Sequence, residues 1–280
     1  MKIKILADST CDLPKDILEQ YDITLAPLTV VKGDAQYKDG ITITPAEIFA
    51  HVADGGELCS TAAVSIGEYI DLFSRYANDY DGILQINIGS GFSACYQNAC
   101  LAAEEFSNVR CFDTRNLTVG QGLVVLEACR LCRDAEDLDS VIRELEVYAE
   151  KIETSFLVEK LDYLVKGGRC SSAAALGANL LNLKPCIELT DNKMAVGKKY
   201  RGNFPKCLST YIAERLNGRE DIRRDMAFIV YTRVSDEALS HVHEAIREGG
   251  GFDTVVEAIT SSTVACHCGP GTLGVVFVRK

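Results

Sequence analysis

The amino-acid sequence predicts a two-domain α/β protein, and three observations lead there. The chain has 280 residues, more than a single hydrophobic core of ordinary size takes up. In its first half, strand-like runs alternate with helical patterns, the order expected of a mostly parallel sheet with crossover helices. After a charge-rich helical stretch at 137–151 the pattern changes, so a boundary is expected near residue 155, with one α/β domain over residues 1–155 and a second over 156–280.

The first domain is expected to hold strands at 2–7, 23–31, 82–88 and 109–112, separated by helices at 44–53, 66–77, 93–106 and 119–134. Several helices carry start signals. Thr44-Pro45-Ala46-Glu47 combines an N-cap hydroxyl, proline at the first helical position and glutamate three residues on. Ser65-Ile66-Gly67-Glu68 has the capping-box spacing, in which side chain and backbone satisfy each other's open donors. The second domain is expected to hold strands at 155–158, 185–189, 194–199, 226–231, 255–259 and 275–278, with helices at 172–182, 204–216 and 236–248.

The charge balance narrows the function. Lysine and arginine number 29 against 40 aspartates and glutamates, a formal net charge of −11. Such a surface repels phosphate backbones and anionic headgroups, so neither nucleic acid nor a membrane surface is the expected partner. No apolar run has the length of a bilayer span, and the chain enters its first strand pattern without a signal-peptide core; a cytoplasmic protein with no stable membrane insertion is expected. The twelve cysteines are scattered through strand and helix patterns and read as small buried hydrophobes rather than as a disulfide scaffold. Cys129-Arg-Leu-Cys132 has no second pair at metal-ligand spacing, and Cys266-His267-Cys268 stands alone, so no metal is expected.

Residues able to carry chemistry gather where strands end, the place at which open α/β sheets bind ligands. The first strand runs into Asp8-Ser9-Thr10-Cys11-Asp12-Leu13-Pro14, an aspartate and hydroxyls able to bind metal or phosphate; Asp12 reads instead as a helix cap, and Asp8 stays open between the two roles. A later strand ends in Gly89-Ser90-Gly91-Phe92-Ser93-Ala94, where glycines admit a ligand to the backbone and the Ser93 hydroxyl and a helix N-terminus offer donors to an anion. Thr61 stands before another helix and can bring a second hydroxyl. Arg169 follows Gly167 and Gly168, which also suit a helix C-cap, and arginine can fork onto a carboxylate. His267 lies in a glycine-rich stretch, read as a loop feeding the last strand.

These residues resemble the successive signatures of the DegV fatty-acid-binding family. Asp8 to Pro14, Pro27-Leu28-Thr29-Val30, Ser90-Gly91-Phe92-Ser93, Tyr163-Leu164-Val165-Lys166-Gly167-Gly168-Arg169, Lys184-Pro185 and His267-Cys268-Gly269-Pro270-Gly271 fall in register along essentially the whole chain. The resemblance implies a two-domain fold that buries the tail of one long-chain fatty acid in a channel at the domain interface. It implies that Thr61, Ser93, Arg169 and His267 hold the carboxylate, with Asp8, Ser90 and Gly91 in support. It also implies a non-enzymatic carrier, with no cofactor, that presents the headgroup to a separate fatty acid kinase, carries the acyl phosphate, and meets that partner through Arg201. Two stretches depart from the family pattern: Ala62-Ala63 stand where polar residues are usual, and Ala94-Cys95 replace glycine-threonine.

Holding is chemically simpler than converting. A tail of about sixteen carbons removes on the order of 12 kcal/mol worth of apolar surface from water before binding entropy is subtracted. The headgroup then needs only relief from desolvation. A hydrolase would need a Gly-x-Ser-x-Gly elbow and a kinase a Gly-x-x-x-x-Gly-Lys-Ser/Thr loop, and the chain has neither. The competing readings are an enzyme for a small anionic substrate, with His267 as general acid or base and Asp8 on a metal, and a redox protein built on Cys129 and Cys132.

Overall fold

The computed structural model describes residues 1–174 and 183–280. In chain order the elements are β1 (Ile3–Asp8), α1 (Lys15–Gln20), β2 (Thr24–Ala26), β3 (Thr29–Lys32), β4 (Ala35–Lys38), α2 (Pro45–Ala53), β5 (Ser60–Ala62), α3 (Ile66–Ser74), β6 (Gly82–Asn87), α4 (Cys95–Ala103), β7 (Val109–Asp113), α5 (Thr118–Leu131) and α6 (Leu138–Ala149). There follow β8 (Ile152–Val158), α7 (Asp162–Gly167), α8 (Ser171–Ala174), β9 (Leu183–Thr190), β10 (Lys193–Arg201), α9 (Phe204–Leu216), β11 (Ile222–Tyr231), α10 (Asp236–Glu248), β12 (Thr254–Ile259), α11 (Ser262–Cys268) and β13 (Thr272–Arg279). Two compact units result. One gathers Met1–Thr44, Cys59–Lys151 and Ser261–Thr263; the other gathers Pro45–Leu58, Ile152–Thr260 and Val264–Lys280.

The first unit is built on a parallel sheet of order β2-β1-β6-β7. Strands β1 and β6 are buried along nearly their whole length, as befits central strands of a sheet with helices on its faces, and this is why they read as mostly apolar runs, with Lys4, Asp8, Gln85 and Asn87 as polar residues that the fold buries too. A small antiparallel sheet, β4-β3-β5, completes the unit. The run at 23–31, expected to form one strand, divides at Pro27. Its first part, β2, pairs with β1, and its second, β3, pairs with β4 and β5. Proline has no N–H to give a ladder and interrupts a strand. The Ser65–Glu68 capping box forms as its spacing predicts.

The second unit carries a six-stranded mixed sheet, β10-β9-β8-β13-β11-β12, in which only the β11–β12 pair is parallel. Tyr211 of α9 fastens its core. Fully buried, its hydroxyl donates to the Ser155 carbonyl at 2.7 Å and accepts from the Val275 amide at 3.3 Å, joining α9 to β8 and β13. Helices α9 and α10 have the bounds expected of them. Of the helix expected at 172–182, Ser171–Ala174 is helical and residues 175–182 lie outside the described residues. Among the described residues no helix is long and apolar enough to cross a membrane.

One site residue sits in a different element from the one expected. His267 belongs to the last turn of α11, not to a loop. The glycines that suggested a loop come after the helix: Gly269, at φ +73°, donates its amide to the Ala265 carbonyl at 2.9 Å, a left-handed helix end.

Candidate functional site

In the first unit, the end of β1 organises the loop that carries the serines. The carboxylate of Asp8 is fully buried, and it accepts from the Ile88 amide at 2.7 Å, the Thr10 amide at 3.2 Å and the Gln121 amide nitrogen at 3.1 Å, with the Thr10 hydroxyl as a further donor. Burial raises its pKa against the pull of these bonds. With its oxygens taken up inside the fold, Asp8 holds the start of the Gly89–Ala94 loop in place. Among the described residues no group of three or more His, Cys, Asp or Glu side chains is arranged to hold a metal ion.

Downstream, the Ser90 hydroxyl donates to Asp113 at 2.6 Å, and Asp113 also accepts from the Ser90 and Arg115 amides. This anchors the loop to the end of β7, and the exposed Gly91 follows it. Ser93 stands just before α4. Its half-buried hydroxyl accepts from the Cys95 amide at 3.3 Å and donates to the Cys95 sulfur at 3.2 Å. A thiol is a weak acceptor, so this proton can be redirected to a stronger one at little cost. Thr61 lies on β5 opposite Val30. The segment after it is tied to α4 by Asn98, whose amide nitrogen donates to the Val64 carbonyl at 2.8 Å. The two hydroxyl-bearing segments therefore share one support.

In the second unit, the Tyr163–Arg169 and His267–Gly271 segments dock on each other at two points, each made possible by a glycine. A Cβ on Gly269 would stand 2.5 Å from the Tyr163 ring, and a Cβ on Gly167 would stand 2.6 Å from Nδ1 of His267. Gly168, at φ +68°, caps α7 in the left-handed conformation. The chain thereby turns so that exposed Arg169 donates back to the Gly167 carbonyl at 2.7 Å. The helix-cap reading of the glycines is correct, and the cap is also what sets Arg169 beside His267. Burial, helped by the Arg169 charge, pushes the His267 pKa down to about 4. At neutral pH the site thus presents one guanidinium charge and a neutral imidazole, a pairing suited to one singly charged acid. Arg201 ends β10 and is exposed.

Cys95 as the partner of Ser93, and Gly167 and Gly269 as the places where two segments meet, were not anticipated. The serine two residues before a helix-opening amide was a legible signal for the first; the glycine contacts are tertiary and leave no local mark. A Gly167→Ala substitution should displace the His267 ring. By NMR titration its pKa should move up from about 4 toward the ordinary histidine value, with a stability loss of about 1–3 kcal/mol from overpacking; an unmoved pKa would place the ring elsewhere.

The sequence matches the family profile described as "Uncharacterised protein, DegV family" over residues 2–280. It is 31% identical to a DegV domain-containing protein of Clostridium acetobutylicum, covering 100% of this chain and 99% of that one. Its fold superposes on a fatty-acid-binding DegV family protein from Thermus thermophilus with a TM-score of 0.90 at 30% identity, covering 100% of both chains. It also superposes on a stearic acid-binding protein from Eubacterium ventriosum with a TM-score of 0.85 at 26% identity, covering 99% of this chain and 98% of that one.

Proposed function

The chain belongs to the DegV family, and on that premise we propose that it is a carrier of one long-chain fatty acid, with the tail buried and the carboxyl group taken by Arg169 and His267, assisted by the Thr61 and Ser93 hydroxyls. Asp8, Ser90 and Gly91 shape the loop that presents Ser93. The carrier works in the cytoplasm, shows the headgroup to a separate ATP-dependent fatty acid kinase through the face that bears Arg201, and keeps the acyl phosphate once formed.

The observation that carries this reading is the arrangement around Gly167: a guanidinium next to an imidazole whose pKa is pushed down to about 4. A general acid or base works best with a pKa near the working pH. His267 is far below it and suits holding a carboxyl group better than moving protons. Arg169 provides the charge-assisted bonds that offset the desolvation of an acid group. The ligands named for the Thermus and Eubacterium proteins agree with this class.

Native mass spectrometry of protein purified without added lipid tests the proposal. A single fatty acid is expected to co-purify, or to load stoichiometrically after delipidation; if none is carried and none loads, the reading fails. Hand-over is tested separately by supplying ATP and a bacterial fatty acid kinase and following phosphate onto the bound lipid. Label appearing equally without the carrier would remove the presentation role and leave the binding role standing.

A further inference from the structure

Helix α2 lies between β4 and β5 in the chain, yet it belongs to the second unit. Its buried Phe49 meets Tyr163 of α7 edge-on, with ring centroids 6.3 Å apart and planes at 84°, an arrangement that aromatic pairs favour. Tyr163 in turn packs on Gly269, two positions after His267, closely enough that a Cβ there would stand 2.5 Å from the ring. Phe49 also receives the Arg233 guanidinium, whose carbon lies 5.9 Å from the ring centroid, within cation–π range. The backbone carbonyl of the same Arg233 accepts from the Gly271 amide at 3.0 Å, and the Gly271 carbonyl accepts from the Glu159 amide at 2.8 Å. These contacts close on themselves. They run from Phe49 to Tyr163, from Tyr163 to Gly269, through Pro270 to Gly271, and by way of Arg233 back to Phe49.

We propose that Phe49 and Arg233 are positioning residues for the headgroup: with Tyr163 they brace the Gly269-Pro270-Gly271 turn, and through it they hold the end of α11 so that His267 keeps its place against Gly167. The consequence for the ligand rests on the carrier reading; the mechanics of the brace do not. A brace is needed because the turn has little stiffness of its own. Gly269 and Gly271 sit at φ +73° and +72°, and glycine gives up more conformational freedom on folding than any other residue. Pro270 fixes only its own φ. His267 stands in the last turn of a helix of seven residues, a length that tertiary contacts have to stabilise. Tyr163 and Gly167 lie one turn apart on α7, so the Tyr163–Gly269 and Gly167–His267 contacts form two rungs between α7 and the end of α11. Loosening the first rung frees the second, and the imidazole then turns toward water.

Fatty acid displacement titrations and an NMR titration of His267 test the brace together. Phe49→Leu keeps an apolar side chain and removes the ring. It should weaken binding of the acid by about 3- to 10-fold, the worth of one neutral hydrogen bond. The His267 pKa should rise from about 4 toward the ordinary histidine value as the ring gains water. In a His267→Ala background the same substitution should cost no further affinity, because Phe49 acts through the imidazole; a general structural loss would add to it. Arg233→Met, at an exposed position, should move affinity and pKa in the same direction by less, and Arg233→Lys should recover part of that loss. This arm decides the matter even if Phe49→Leu folds poorly. A His267 pKa unmoved in both Phe49→Leu and Arg233→Met, or an undiminished Phe49→Leu effect in the His267→Ala background, would overturn the proposal. A wild-type chain that loads no fatty acid would bring down the carrier reading alone, and the His267 titration would still decide the brace.

Discussion

Replacing Arg169 with alanine is expected to weaken fatty acid binding by roughly 10- to 100-fold while leaving the fold intact. The magnitude follows from what the guanidinium contributes and what it does not. Charge-assisted hydrogen bonds to a carboxylate are worth about 1.5–3 kcal/mol, whereas the tail supplies on the order of 12 kcal/mol of gross drive, so the variant should bind weakly rather than not at all. The side chain is exposed and, among the described residues, its one hydrogen bond is to the Gly167 carbonyl, so its loss should change the urea midpoint little. Arg169→Lys should recover only part of the affinity, because an ammonium keeps the charge without the planar fork. A fatty acid methyl ester separates headgroup from tail: wild type and Arg169→Ala should bind it alike, since neither has a carboxylate to meet. Displacement titrations with a fluorescent fatty acid measure all five affinities. An unchanged affinity for the acid, or an equal loss for acid and ester, would remove Arg169 from the headgroup.

The parts of this architecture that were legible in the sequence are those fixed by local rules. The buried strands β1 and β6 show as mostly apolar runs, the Ser65–Glu68 box shows as a three-residue spacing, and Pro45 after Thr44 marks the opening of α2. What escaped depends on distant contacts or on one residue overriding its neighbours. Pro27 splits a run that periodicity alone keeps whole. Gly269 and Gly271 made His267 look like a loop residue, although α11 ends only after it. Asp12 is the sharpest case. Read as a cap for the helix after Pro14, it instead accepts from the Thr118 hydroxyl at 2.5 Å and from the Ser261 amide at 2.8 Å, 249 residues further along the chain.

That placement makes Asp12 the source of an unusual pH dependence. Its carboxyl is buried, and burial raises the pKa to about 7 despite the Thr118 and Ser261 bonds, with the Asp39 charge adding to the rise. The folded chain therefore holds this proton to a higher pH than the unfolded chain, where an aspartate titrates near 3.9. The stabilisation is complete below about pH 4 and is lost as pH rises through about 7, a swing of about 4 kcal/mol at most. Asp8, also raised by burial, acts in the same direction. The carboxylates whose pKa is lowered, such as Asp221 beside Arg219, act in the opposite sense and lose stability as pH falls. Asp12→Asn isolates the effect. Asparagine reproduces the protonated side chain, with its carbonyl free to accept from Ser261 and its amide to donate toward the Thr118 oxygen, and it tolerates the left-handed backbone at φ 51°. The variant should be the more stable protein near pH 8, and the gap should close on acidification as wild-type Asp12 takes up its proton. Urea unfolding of both proteins across about pH 4 to 8 measures the difference, in which the shared contributions of the other groups cancel. A gap that is constant with pH, or a variant less stable at the alkaline end, would show that Asp12 is held as a carboxylate and that the Thr118 and Ser261 bonds outweigh its burial.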